Sequence, residues 1–308
     1  MGLTSRPMRT VYVGTSEFAA EVLDRLALSP HRPQLVVTRP DRRKGRGRQL
    51  APPPVAEAAA RLGIETIQPE NVNDDEPRAR IAAAEPEAVC ICAFGALIRE
   101  PLLSEHELLN VHPSLLPRWR GAAPIERAIE AGDETTGVTI MRPTADWDAG
   151  PLCLQRAEPI HPDDDYGTLA ARLAGLGGEL LVEALDERPP WREQPDQGVT
   201  WAGKIEPEDR HLDPGRPAEE LERRVRALTP HVGAYVELPG GDRLGVRSAA
   251  LATEGAELAP GELRADGERL LFGTCSGALV LLEVQPPGGR PMDAGDYLRG
   301  RPALSGYG

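Results

Sequence analysis

The sequence has few lysines, few cysteines and no long apolar run. No stretch of its 308 residues approaches the ~20 apolar residues that a membrane-crossing helix needs, and residues 1–10 lack the apolar core of a signal peptide. We therefore expect a cytoplasmic protein without a membrane partner. Only Lys44 and Lys204 are lysines, so nearly all positive charge is arginine. The net charge of −13 argues against polyanion binding by the whole surface.

The four cysteines favour core packing over a metal site. Cys90 and Cys92 lie in the apolar segment EAVCICAF, where strand alternation places both thiols on one face of a predicted buried strand. Cys153 and Cys275 stand alone in apolar surroundings. No second Cys/His cluster lies near the pair in sequence, so we expect no metal. Disulfides are not expected in a reducing compartment.

Strand-like and helix-like segments alternate through the first part of the chain, from RTVYVG and SEFAAEVLDRLALS to TTGVTIMRP and the long helix DYGTLAARLAGLGGELLVEALDE. This order predicts an α/β fold with a Rossmann-like, mostly parallel sheet and helices on both faces. Beyond residue 207, short strands separated by glycine turns predict a smaller β-barrel of OB type. The predicted organisation is a larger domain over 1–188, a proline-rich linker over 189–206 and the barrel over 207–308.

The predicted sheet does not carry a dinucleotide-binding loop. The first strand is followed by GTSEFA, which has Gly14 but neither of the other two glycines of that fingerprint, and bulky Phe18 stands where a pyrophosphate needs close approach. NAD binding is therefore not expected.

Polar residues follow two of the predicted strands. Asn110 and His112 in LLNVHP lie two residues apart, so they project together at the carboxyl end of one strand, where such sheets bind ligands. Asp148 in TADWDAGP follows another strand and could reach the histidine. The three suit acyl transfer, because imidazole and carboxylate handle protons while the amide donates to an oxyanion.

A purely structural interpretation of the same residues stays open. Asn110 could cap a turn beside a partly buried His112, and Asp148 could bond its own backbone. The turn-rich segment SLLPRWRGAAP directly after them favours a ligand site. No serine or cysteine stands beside the histidine as a nucleophile, so a covalent acyl-enzyme is not indicated.

These segments resemble the formyl-tetrahydrofolate-dependent formyltransferases. The strings NVHPSLLPRWRGAAPI and WDAGP carry the likeness most specifically, and it extends over nearly the whole chain through YVGTSEFAAEVLDRL, TRPDRRKGRGRQLAPPPV, AFGALI and AGKIEPEDRHLD. The basic loop and the C-terminal barrel resemble the members that formylate tRNA. The resemblance assigns catalysis to the domain over 1–188 and assistance in tRNA binding to the barrel.

The resemblance implies formyl transfer from N10 of 10-formyltetrahydrofolate to the α-amine of methionyl initiator tRNA, in a monomer without metal. It implies that Asn110 stabilises the oxyanion and that His112 manages protons, oriented or charge-balanced by Asp148. The folate contacts that it implies are Ser114, Leu115, Leu116 and Pro117.

A basic loop is the predicted tRNA contact. Residues 39–48, RPDRRKGRGR, hold six basic side chains against one acid, and two glycines that allow mobility. Because the loop follows the second strand, it should lie at the same sheet edge as the catalytic residues and contact phosphates. The predicted contacts are Arg42, Arg43, Lys44, Arg46 and Arg48.

Three other functions remain open from the sequence. A sugar-nucleotide N-formyltransferase or a formyltetrahydrofolate hydrolase would keep the Asn/His/Asp trio but would have little use for the basic loop. A non-catalytic RNA-binding protein would have no reason to hold the trio together.

Overall fold

The structure is a computed structural model that describes residues 6–44, 49–253 and 257–300. These residues form two compact units. The first comprises the described residues up to Gly121 together with 135–159 and 170–201. The second comprises 122–134, 160–169 and the described residues from Ala202 onward. Within the described ranges, no helix is both long and apolar enough to span a membrane.

The regular elements include the strands and helices predicted for the first part of the chain, together with further short strands. The strands, in chain order, are β1 (Thr10–Gly14), β2 (Pro33–Val37), β3 (Arg42–Lys44), β4 (Gln49–Ala51), β5 (Glu65–Ile67), β6 (Ala88–Cys92), β7 (Leu108–His112), β8 (Arg120–Gly121), β9 (Thr135–Met141), β10 (Leu152–Pro159), β11 (Trp201–Ala202), β12 (Ala234–Glu237), β13 (Arg243–Leu251), β14 (Leu263–Asp266), β15 (Arg269–Gly273), β16 (Ala278–Gln285) and β17 (Met292–Asp293). The α-helices are α1 (Glu17–Ala27), α2 (Pro54–Leu62), α3 (Asp75–Ala83), α4 (Leu102–Glu105), α5 (Pro124–Ala131), α6 (Tyr166–Glu187), α7 (Ala218–Leu228) and α8 (Ala294–Arg299).

The first unit is built on a seven-stranded sheet in the order β10-β9-β7-β6-β1-β2-β5. The five strands from β7 to β5 are parallel, and β9 and β10 add an antiparallel pair at the other side. The Rossmann-like, mostly parallel sheet is therefore confirmed. The predicted N-cap of the first helix is also confirmed, since the Ser16 side chain accepts a hydrogen bond from the backbone N–H of Ala19.

Helices cover both faces of this sheet, as expected. On one face, the Tyr12 hydroxyl of β1 donates to the Ala19 carbonyl of α1 at 2.6 Å. On the same face α6 packs so closely that a Cβ at Gly177 would lie 2.8 Å from the Val111 side chain of β7. On the other face, α3 and α4 share one apolar core with residues of β1, β2, β6 and β7, including Leu108.

The Cys90 and Cys92 side chains are fully buried within β6. Burial raises the pKa of each thiol to about 12, so both are protonated and unreactive in the folded protein at neutral pH. Their predicted role in core packing agrees with this position.

The strand β10 was not predicted from the sequence. Only its first two residues are buried, and Gln155, Arg156 and Glu158 follow, so it lacks the alternation of a half-buried strand. It pairs antiparallel with β9 along its whole length. Together with β9 it brackets the loop that carries Asp148.

The second unit contains an antiparallel sheet in the order β12-β13-β16-β15-β14, with β17 paired to β16. One apolar core joins this sheet to α7 and α8, with Leu221, Val225 and Tyr297 among its buried members. The expected C-terminal domain of antiparallel strands is present. The boundaries predicted at 188 and 207 stay predictions.

Candidate active site

Asn110 and His112 are among the last three residues of β7. This strand lies between β6, to which it is parallel, and β9, to which it is antiparallel. Alternation places both side chains on the same face as Leu108, about 7 Å apart along the strand. Across the β9 ladder, Met141 lies opposite Asn110 and Thr139 lies opposite His112. The carboxyl end of β7 thus presents an amide and an imidazole side by side, as predicted.

The His112 ring is buried, with only 4% of the residue exposed, and its hydrogen bonding fixes the tautomer. The Nε2 atom lies 2.9 Å from the backbone carbonyl oxygen of Trp119. A carbonyl oxygen only accepts, so Nε2 carries the proton and donates. In the neutral ring Nδ1 is then the basic nitrogen, and it lies 3.8 Å from Oδ2 of Asp148.

Asp148 is held in a strained conformation within the β9–β10 loop. Its backbone has φ of +44°, in the left-handed region that aspartate tolerates better than most residues. Its Oδ2 accepts a hydrogen bond from the backbone N–H of Gly121 at 2.9 Å. The loop is tight at Gly150, where a Cβ would lie 2.0 Å from the Arg142 carbonyl oxygen. The carboxylate is therefore directed at His112 by fixed backbone.

The Asn110 amide keeps its donor capacity for a ligand. The residue is half-buried, and its Nδ2 lies 3.5 Å from the thioether sulfur of Met141. Thioether sulfur is a weak acceptor, so an oxygen brought to this position would take the N–H in preference. The three predicted residues are thus gathered on one side of the carboxyl edge of the sheet.

The segment predicted to contact folate is fixed by two side chains that sequence reasoning missed. The Thr139 hydroxyl donates to the Ser114 carbonyl at 2.7 Å and accepts from the Leu116 N–H at 3.2 Å. The Gln155 amide donates to the Leu116 carbonyl at 2.8 Å. Ser114 and Leu116 are buried, whereas Leu115 and Pro117 are half-buried and can face a ligand.

The basic loop falls partly within the described residues. Residues 42–44 form β3, which pairs antiparallel with β4, so this part of the predicted mobile loop is a short hairpin. The Arg42 and Arg43 side chains are exposed. The segment follows the carboxyl end of β2. β2 runs parallel to β7, with β1 and β6 between them, so both strands end at the same edge of the sheet. Arg46 and Arg48 lie outside the described residues.

Two further residues that the sequence did not indicate brace the site, and both come from the segment predicted to be a linker. We call residues 192–200 the strap. The Thr200 hydroxyl accepts from the Trp119 N–H at 2.8 Å, next to the carbonyl that fixes His112. The Gln194 amide donates to the carbonyls of Asp148 and Gly150 at 2.8 and 2.7 Å. Neither residue belongs to a local motif, so only the folded contacts identify them.

Comparison with known proteins places the chain among formyl transferases. Residues 8–185 match the family described as formyl transferase, and residues 204–302 match its C-terminal domain. The curated methionyl-tRNA formyltransferase of Halorhodospira halophila is 43% identical over 307 residues, covering 97% of this chain and 98% of that protein.

Two solved structures share the fold. Methionyl-tRNA formyltransferase from Clostridium thermocellum is 14% identical, with a TM-score of 0.57, and the match covers 80% of this chain and 95% of that one. HypX from Aquifex aeolicus in complex with tetrahydrofolic acid is 20% identical, with a TM-score of 0.64. That match covers 97% of this chain and 48% of the HypX chain. The two matched domains and the relative that is 43% identical along nearly its whole length show that the chain belongs to the formyl transferase family.

Proposed function

We propose that this enzyme transfers the formyl group of 10-formyltetrahydrofolate to the α-amino group of methionyl initiator tRNA. The observation that carries the chemistry is the placement of Nδ1 of His112 at 3.8 Å from the Asp148 carboxylate, with Nε2 bound to the Trp119 carbonyl, beside an Asn110 amide that contacts the Met141 thioether. The acceptor is supported by the curated relative, whose printed name is methionyl-tRNA formyltransferase and which covers nearly the whole chain.

A folate donor fits the residues next to the trio. The HypX structure that shares this fold contains tetrahydrofolic acid. In this chain, Leu115 and Pro117 offer half-buried apolar surface next to His112, and the backbone of the segment is held by Thr139 and Gln155. The bound donor supplies a formyl carbon already activated by its attachment to N10. We assign Leu115 and Pro117 to ligand contact, and Ser114 and Leu116 to the shape of the segment.

Formyl transfer requires a proton to move as the methionyl amine adds to the formyl carbon. Nδ1 of His112 takes a proton from the attacking amine, because Nε2 is already committed to the Trp119 carbonyl. The Asp148 carboxylate then faces a positively charged ring and stabilises it. His112 returns the same proton to N10 as the carbon–N10 bond breaks, so no net proton is gained or lost.

Asn110 acts on the oxygen of the same intermediate. As the amine adds, the formyl oxygen becomes an oxyanion, and the Nδ2 group donates a charge-assisted hydrogen bond to it. This bond strengthens only as charge develops, so it lowers the barrier rather than tightening substrate binding. The amide therefore needs no strong protein partner beforehand, in keeping with its contact to Met141.

The basic residues around β3 supply the proposed contact with tRNA. Arg42 and Arg43 are exposed in a protein whose net charge is −13. They provide a local positive surface for tRNA phosphates that the rest of the protein repels. Neutralised phosphates release counterions, so this contribution should depend strongly on salt.

The test is a comparison of acceptors. Purified protein is incubated with 10-formyltetrahydrofolate and, separately, methionyl initiator tRNA, an amino-sugar nucleotide or buffer alone. Formylmethionyl-tRNA should form rapidly, and Asn110→Ala protein provides the matched blank. Faster transfer to the sugar nucleotide, or release of formate in buffer alone at an equal rate, would assign the site to one of the other acceptors.

A further inference from the structure

We propose that Gln194 of the strap is a positioning residue that holds Asp148 in register with His112. The inference rests on the proposed function, because it assumes that Asp148 takes part in the proton transfer. It concerns a residue of the segment between the two matched domains.

Both the NH₂ group and the oxygen of the Gln194 amide form hydrogen bonds with residues that hold Asp148 in place. Its NH₂ group donates to the carbonyls of Asp148 and Gly150, at 2.8 and 2.7 Å. Its Oε1 accepts from Arg120, at 3.1 Å from Nε and 2.8 Å from Nη2. Arg120 immediately precedes Gly121, whose N–H binds the Asp148 carboxylate. One amide therefore links the backbone of Asp148 to the strand that binds its side chain.

Asp148 needs this support because its conformation is unfavourable by itself. A non-glycine residue at φ of +44° persists only where the surrounding structure determines it. The carboxylate is also 20% exposed, so solvent offers it other rotamers. The two hydrogen bonds from Gln194 hold the peptide groups that follow Asp148 and Gly150, and so restrain the backbone of the loop on either side of Ala149 and Gly150.

The chemistry is sensitive to small displacements at this position. The 3.8 Å between Nδ1 and Oδ2 is longer than a hydrogen bond, so the pair works through charge or closes by a fraction of an ångström during the reaction. A shift of about 1 Å in a positioned group can lower a rate about 100-fold. A residue that only fixes the loop can therefore control turnover without touching substrate.

The test is a double-mutant cycle between Gln194 and Asp148. Gln194→Leu keeps the approximate volume and removes every hydrogen bond of the amide. We expect kcat to fall about 10- to 100-fold, with KM for tRNA and folate unchanged. In an Asp148→Asn background, the same change should lower kcat less than twofold, because a residue that acts through Asp148 has nothing left to position.

The chain offers a matched control in Gln285. This glutamine is equally half-buried, its Oε1 accepts from Nε and Nη2 of Arg247, and its NH₂ donates to the Gly289 carbonyl. Gln285→Leu removes the same kinds of bonds in the second unit and should leave kcat at saturating tRNA unchanged. Gln194→Glu is the second variant. It keeps the acceptor for Arg120, loses both donors, and should be at least as impaired as Gln194→Leu.

Nuclear magnetic resonance gives a readout that needs no turnover. In Gln194→Leu, the chemical shifts of the His112 ring nitrogens should change toward their values in Asp148→Asn. In Gln285→Leu, these chemical shifts should remain at their wild-type values. Full activity of Gln194→Glu, equal losses in both backgrounds, or unchanged His112 signals would overturn the proposal. Failure of both Gln194 variants to fold would also overturn it, because the residue would then be structural. Inactivity of the wild-type protein toward methionyl-tRNA would reject the proposed function, while the His112 signals would still judge the role of Gln194.

Discussion

Replacing Asn110, the proposed oxyanion donor, should separate catalysis from folding at this site. The loss of one oxyanion donor lowers turnover about 10²–10³-fold. At 1.36 kcal/mol for each factor of ten, this is about 3–4 kcal/mol of transition-state stabilisation. Among the described residues, the same amide makes one weak contact, with the sulfur of Met141 at 3.5 Å. An ordinary hydrogen bond contributes about 0.5–1.5 kcal/mol, so Asn110→Ala should lower the free energy of unfolding by about 1 kcal/mol or less.

The assay is single-turnover formylation of methionyl-tRNA at saturating folate, alongside urea unfolding of the same preparations. Asn110→Asp sharpens the result, because it keeps the shape of the side chain and exchanges the donor for a negative acceptor. Its turnover should equal or fall below that of Asn110→Ala. Substantial activity in Asn110→Asp would refute the reasoning, since a carboxylate cannot donate to an oxyanion.

Four further predictions test other parts of the molecule. Alanine at all three residues of β3, Arg42–Lys44, removes three possible phosphate contacts. If each is made, the slope of log tRNA affinity against log salt concentration should become shallower by about 2–3 units, while folate binding is unchanged. Thr200→Val removes the acceptor of the Trp119 N–H and should lower kcat about 10-fold while Thr200→Ser restores it, as measured by formylation kinetics. Thiol labelling of native protein should modify exposed Cys275 and spare the two thiols of β6 until unfolding. Because burial raises the pKa of those thiols from 9.0 to about 12, stability measured by urea unfolding should fall as pH rises from about 9 toward about 12.

The first three of these predictions each have a control or a result that would contradict them. Alanine at Arg6, Arg61 and Arg80, which are paired with carboxylates, removes equal charge at positions away from β3, so the salt slope should stay unchanged. An unchanged slope in the β3 variant instead would make that hairpin an ordinary solvated surface. If Thr200→Ser is as impaired as Thr200→Val, the hydroxyl is not the functional group. Rapid labelling of the β6 thiols in native protein would contradict their burial.

The sequence predicted the parts of the fold whose signals are local. β6 is a continuous apolar run, and α1 is capped by Ser16, the serine that the capping pattern indicates, because burial and capping act within a few residues. The placement of Asn110 and His112 on one face follows from strand alternation alone. The position of Asp148 follows in part, since β9 and β7 are neighbours in the sheet.

The remaining parts depend on contacts between distant segments. β10 is an edge strand whose second half is polar, so it lacks the alternation that would reveal it. The strap has the proline and polar composition of a linker, and Gln194 and Thr200 become recognisable only through partners 46 and 81 residues away. The tautomer of His112 likewise depends on the backbone carbonyl of Trp119. Every residue has such a carbonyl, so the sequence does not show which one the ring will contact.

The sequence separation of these contacts has a consequence for synthesis of the chain. A nascent polypeptide that has reached residue 188 already contains Asn110, His112 and Asp148, together with all seven strands of the larger sheet. It does not yet contain Gln194 or Thr200. Contacts between distant segments must await the later segment and the closure of the intervening loop. The sheet can therefore fold as it leaves the ribosome, whereas the contacts that hold Asp148 and Trp119 beside His112 are completed only when the strap has emerged.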